Sequence, residues 1–188
     1  MKKLKMALMG IIATMAISCG GGASKQPATA DGFSGIEKEL KKEFGNDAYY
    51  TELTIIYNES IGNSISTTVT NDPESMEMGQ WTYAMGNWNQ TSDITLEVPE
   101  GTKAADFMFQ LNEKISLEKL GELVEKSREQ LEEEKDIDNP RLEMAFIKYP
   151  KNGDIEAAEY IVKLQPENGG TSFTFSYGLE GSFIEMDY

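Results

Sequence analysis

The sequence predicts an α+β fold, with two helices packed on antiparallel β-sheet. Three observations predict it. Apolar residues recur at helical spacing in two separate segments: Phe33, Ile36, Leu40 and Phe44, then Leu117, Leu120, Leu123, Val124 and Leu131. After each segment the period drops to two, in runs rich in Ile, Val, Thr, Tyr and Phe. Short Asn, Gly, Pro and Asp clusters separate these runs, which suits hairpin turns and not the long crossovers that parallel strands need. Helices and strands segregated in this way place the helices on one face of the sheet.

The chain begins with Lys2, Lys3 and Lys5, an apolar run from Met6 to Ile17, then Ser18 and Cys19, its one cysteine. A basic start, an apolar stretch of about 7–15 residues and small residues at the cut describe a secretory signal. The run is shorter than the roughly 20 residues that span a bilayer. Ala16-Ile17-Ser18-Cys19 resembles the lipobox of bacterial lipoprotein precursors, with Ala16 standing where Leu is usual. The resemblance covers residues 1–22. It implies a signal peptide over 1–18, cleavage between Ser18 and Cys19, and acylation of Cys19 by chains such as palmitate. The protein would then be held at a cell-envelope membrane through lipid. Gly20 is not the Asp that retains enteric members of this class at the inner membrane, so the resemblance favours the outer membrane. A lone cysteine can form no internal disulfide, which agrees with another use for it.

Residues 19–32 are Gly-, Ala- and Ser-rich and read as a flexible tether. Residues 33–188 are the right size for a single α+β domain. Ser34-Gly35-Ile36-Glu37 has the form of a capping box and Gly45 that of a helix stop, which predicts a helix over 34–44 with Glu37–Glu43 on its solvated side. Strands are expected at 50–57, 64–70, 80–85, 94–98 and 106–111. Ser116 caps a longer helix over 116–135, and Gly121 and Ser127 in its apolar stripe suggest close packing on a sheet. Strands follow at 142–149, 157–164, 172–177 and 182–187. Asn152-Gly153 between the first two predicts a type I′ hairpin turn. The order is helix then strands, twice, with halves at 33–112 and 113–188. Duplication and the likeness of any two short apolar strands both account for it.

The chain carries 17 basic and 32 acidic side chains, a formal net charge of −15. Three of the basic ones lie in the signal segment, so the remainder is more acidic still. Such a surface repels nucleic acid and anionic headgroups, and no nucleic-acid partner is expected. There is no histidine, which removes the commonest proton-transfer group and the commonest metal ligand. No catalytic residue, cofactor or metal is therefore assigned; Glu134–Asn139 lacks the glycine of a calcium loop. Trp81, Tyr83, Trp88 and the Tyr49-Tyr50 pair form the aromatic concentration, and Trp81, Tyr83 and Trp88 are the candidate ligand-binding residues. Trp81 and Tyr83 alternate as a core-facing strand would, and Trp88, in a Gly-Asn-Trp-Asn-Gln loop, is the one expected to be exposed. The expected role is that of a non-enzymatic, membrane-anchored envelope lipoprotein that binds a partner protein or another envelope component through one sheet face or edge. A module for glycans or small apolar ligands using these aromatics is the alternative, and a carboxylate-dependent hydrolase a further one.

Overall fold

The computed structural model describes residues 22–58 and 60–188. The expectations for Ser18 and Cys19 lie outside them. The elements are α1 (Ala30–Phe44), β1 (Tyr49–Asn58), β2 (Gly62–Thr70), β3 (Glu77–Ala84) and β4 (Asn87–Thr95), then α2 (Leu117–Lys135), β5 (Arg141–Lys148), β6 (Glu159–Gln165), β7 (Phe173–Gly178) and β8 (Phe183–Asp187). All eight strands form one antiparallel sheet in the order β4-β3-β2-β1-β5-β6-β7-β8. A helix followed by a four-strand meander thus occurs twice. The two meanders join through their first strands, with Ile55 of β1 opposite Ala145 of β5.

Alternation along each strand sorts the side chains into two faces. One cross-strand row reads Trp88, Tyr83, Ile65, Ile55, Ala145, Val162, Phe175, Met186. It is apolar throughout and lies under the helices, contributing to the main core. The next row reads Asn89, Thr82, Ser66, Thr54, Phe146, Ile161, Ser176, Glu185. It is mostly polar and faces away from them, as antiparallel sheet with one wet face requires.

The helices differ from expectation at their starts. α1 begins four residues before Ser34, capped by Thr29, whose hydroxyl accepts from the Gly32 N–H. Ser34 is inside the helix, so the capping box does not form. Glu37 reaches instead across to α2, where its carboxylate accepts from the Leu117 N–H at 2.8 Å. Glu125 of α2 does the same for α1, accepting from the Ala30 N–H at 2.9 Å. Each helix thus supplies a carboxylate to the first N–H of the other, where free donors and the positive dipole end meet. Gly121 makes the crossing possible. A Cβ there would lie 2.7 Å from the Ala30 Cα, against backbone and not against the sheet. Ser127 donates to the Leu123 carbonyl and pairs with the Tyr177 hydroxyl at 2.8 Å.

Three further expectations are corrected. The segment 94–98 is not a separate strand; β4 runs from Asn87 to Thr95, directly after a tight turn at Met85-Gly86. The segment 106–111 is not a strand either. A 3₁₀ turn spans Ala104–Phe107, and Phe109 forms one isolated bridge with Tyr50. The β5–β6 connection is longer than a two-residue hairpin; Gly153 alone takes positive φ, and a short turn at Ile155–Ala157 follows. The flexible tether is also corrected over its described part. Ala23 is 1% exposed, its N–H donates to the Tyr83 hydroxyl at 3.1 Å, and its carbonyl accepts from Asn63 Nδ2 at 3.0 Å. Asn63 donates also to the Gln26 carbonyl at 2.7 Å. Small residues let this segment approach the sheet closely: Gly62, at φ 77°, leaves no room for a Cβ beneath the Ser24 carbonyl.

Candidate functional site

The aromatic trio of β3 and β4 is not an exposed platform. Tyr83 is buried and serves as the acceptor for Ala23. Trp81 and Trp88 are half-buried against the core, where both meet the Phe44 ring edge-on, at 5.5 Å and 4.9 Å. The exposure expected of Trp88 is therefore not found. The residue lies on the helix-facing row, opposite Tyr83, because the turn ends at Gly86 and Asn87 already belongs to the strand.

A different cleft is built at the opposite end of the strands. β1 and β5 pair only over Thr54–Ile56. Beyond that they splay, and the connection before α2 enters the wedge: the Tyr50 and Phe109 backbones exchange two hydrogen bonds of 2.8 Å. Stacking of Tyr50 on Phe109 at 5.8 Å, and of Phe109 near Tyr149 at 5.5 Å, fills its base. What remains open is a cleft of about 470 Å³ between residues 102–112 and the turn after β5. Tyr49 and Tyr149 line it, with Thr102, Asp106, Gln110, Asn112 and Asn152 as its other polar side chains. Tyr149 donates to the Asp106 carbonyl at 3.4 Å, and Gln110 to the Asp47 carbonyl at 2.8 Å. Burial, reinforced by the Asp106 charge, raises the Tyr149 phenol above its ordinary range, so it is protonated at neutral pH.

Aromatic rings beside amide and carboxylate groups suit a ligand with one apolar face and several hydroxyls. Asp106 is the one carboxylate among the described residues lining the cleft. Of these residues the sequence marked only Tyr49, within the Tyr49-Tyr50 pair, and the 150–154 turn. Asp106 and Asn112 carry no sequence signal, because the splay that brings them to Tyr149 is a property of the sheet.

Two other surfaces are notable. On the open face, Thr54, Ile56, Ser66, Met144, Phe146 and Lys148 border a groove of about 500 Å³ along the β1–β5 seam. On the helix side, the only two arginines of the sequence, Arg128 and Arg141, border a pocket of about 450 Å³ with Tyr57 and Thr29. Both have structural partners there, Arg128 on the Ala28 carbonyl at 2.9 Å and Arg141 on Glu167 at 2.5 Å. Among the described residues no group of three or more Asp, Glu, Cys or His side chains is placed to hold a metal ion. None of the helices they form is long and apolar enough to cross a membrane. In comparisons with known proteins, no family model, no curated protein and no solved structure matches this chain.

Proposed function

We propose that the chain is a lipid-anchored cell-envelope protein whose role is to bind, not to catalyse, and that its binding site is the cleft between Tyr49 and Tyr149. The residues from Lys2 to Cys19 support the anchor. The cleft supports the binding role: it brings two tyrosines, three amides and a carboxylate to one opening at the end of the sheet away from the amino-terminal segment. A neutral, polyhydroxylated ligand such as a glycan fits that chemistry. Sugar faces stack on the rings while Gln110, Asn112 and Asn152 supply donors and acceptors.

The test is a glycan array probed with the purified protein, followed by titration of any hit with Asn152→Ala. Asn152 is on an exposed turn, so its loss leaves the core intact. Binding to a neutral glycan that weakens about tenfold or more, the equivalent of one lost hydrogen bond, supports the reading. An array without hits, or a hit indifferent to the substitution, contradicts it.

A second reading is favoured by the seam groove, where Ile56 is 40% exposed beside Met144 and Phe146. There the ligand would be an envelope protein laid across the open face. Phe146→Lys abolishing co-purification of a membrane partner, with Asn152→Ala leaving it unchanged, selects this reading over the first.

A further inference from the structure

The docking of residues 22–29 removes the slack that an anchored domain would otherwise have. Ala23 is fixed by the Tyr83 hydroxyl and by Asn63. Four residue steps separate it from Cys19. At a maximum of about 3.6 Å per residue, the Cys19 backbone lies within roughly 14 Å of Ala23. The polar layer on either side of the hydrocarbon is itself about 5–8 Å deep. A body so closely tied touches the headgroups.

The end of the sheet that does so is determined by topology. Tyr83 is the penultimate residue of β3, next to the β3–β4 turn, and Asn63 stands at the start of β2 beside the β1–β2 turn. In an antiparallel meander these two turns share one rim. They present Met85, 73% exposed, and Ile61, 43% exposed. Near these two turns charge is sparse: residues 60–65 and 81–88 contain no Asp, Glu, Lys or Arg, and Glu59 is the one charged residue between β1 and β2, whereas the far half of the same rim carries Asp136, Asp138, Arg141 and Glu167. An acidic protein thus offers a sparsely charged, partly apolar corner beside residues 22–26. Met76 and the Tyr149 cleft are at the opposite rim; the eight residues of β3 alone separate the rims by about 27 Å.

We infer that the corner bearing Ile61 and Met85 rests on the headgroup layer of the bilayer and that the Tyr149 cleft, at the opposite end of the strands, points away from the membrane. This rests on the lipid anchor proposed above and adds to it a fixed orientation. Insertion of Met85 and Ile61 among the headgroups supplements the acyl chains.

The two methionines are natural reporters. The lipidated protein, labelled with ¹³C at its methionine methyls, is placed in nanodiscs containing a fraction of headgroup spin-labelled lipid, after mass spectrometry of Cys19. Met85 is expected to lose most of its methyl signal while Met76 keeps nearly all of it. A Gly/Ser insertion of about 20 residues ahead of Gly22, with a typical reach of roughly 25 Å, is expected to abolish the contrast. Equal losses at both methyls in the unmodified protein overturn the inference and leave the anchor standing. An unmodified Cys19 overturns the anchor, and the orientation with it.

Discussion

Four tyrosines buried under the helices show how a single hydroxyl decides the sign of a substitution. Tyr160 accepts from the Ser116 N–H at 3.0 Å, Tyr177 pairs with Ser127, and Tyr83 accepts from Ala23. The Tyr50 hydroxyl is buried without a partner among the described residues. Removing a satisfied acceptor strands its donor, whereas removing an unsatisfied group recovers its desolvation cost. Tyr50→Phe is therefore expected to raise stability by about 1 kcal/mol, and Tyr160→Phe to lower it by about 1–2 kcal/mol, in denaturant titrations. Burial pushes the Tyr160 phenol up to about 12, and raises Tyr50 and Tyr177 as well. These groups stay protonated in the folded chain while unfolded tyrosines ionise near pH 10, so their contribution is complete below pH 10 and is lost as pH rises towards the folded value. Stability is expected to fall steeply above about pH 10, with Tyr160→Phe shallower by about one proton, roughly 1.4 kcal/mol per pH unit. An unchanged slope in that variant refutes the assignment.

The helices illustrate what periodicity conveys and what it leaves out. Apolar spacing located both of them and Ser116 as a cap, because burial of one stripe is written into the 3.6-residue repeat. It could not show that Glu37 and Glu125 each serve the other helix, since that depends on how the two cross. Nor could it distinguish the Ser34 box from the Thr29 cap; both are sound local solutions, and the docked segment before Thr29 decides between them. The same limit applies to residues 22–29. Gly, Ala and Ser signal slack in a free chain, yet they are also the residues that permit close backbone approach, as at Gly62 against Ser24. Gly121 gives a test at this scale. In an open helix, Gly→Ala stabilises by up to about 1 kcal/mol. Here the new methyl would strike the Thr29–Ala30 backbone, so Gly121→Ala is expected to lower stability by about 1–3 kcal/mol, read from the thermal midpoint. A rise would mean that the crossing is looser than described.

At the level of the whole molecule, repetition and splay together produce the site. Two helix-plus-meander units share a seam only three residue pairs long, Thr54–Ile56 with Met144–Phe146. The α+β class and most of the strands were legible, because one face is wet and the alternation is clean. The cleft was not, because it arises where β1 and β5 part and residues 102–112 fill the gap, and no local pattern encodes a divergence between strands some 90 residues apart. The aromatics that drew notice in the sequence, Trp81, Tyr83 and Trp88, hold the amino-terminal end of the domain and the tip of α1 together instead. This arrangement has functional meaning if the amino terminus is fixed to a membrane: packed aromatics and a docked segment then govern orientation, and the cleft faces outward. The most direct measurement is metabolic labelling with an alkyne palmitate analogue, comparing the native precursor with Cys19→Ser. The account predicts label on the native protein in the membrane fraction and none on the variant; absence of label on the native protein, or equal label on both, would contradict it.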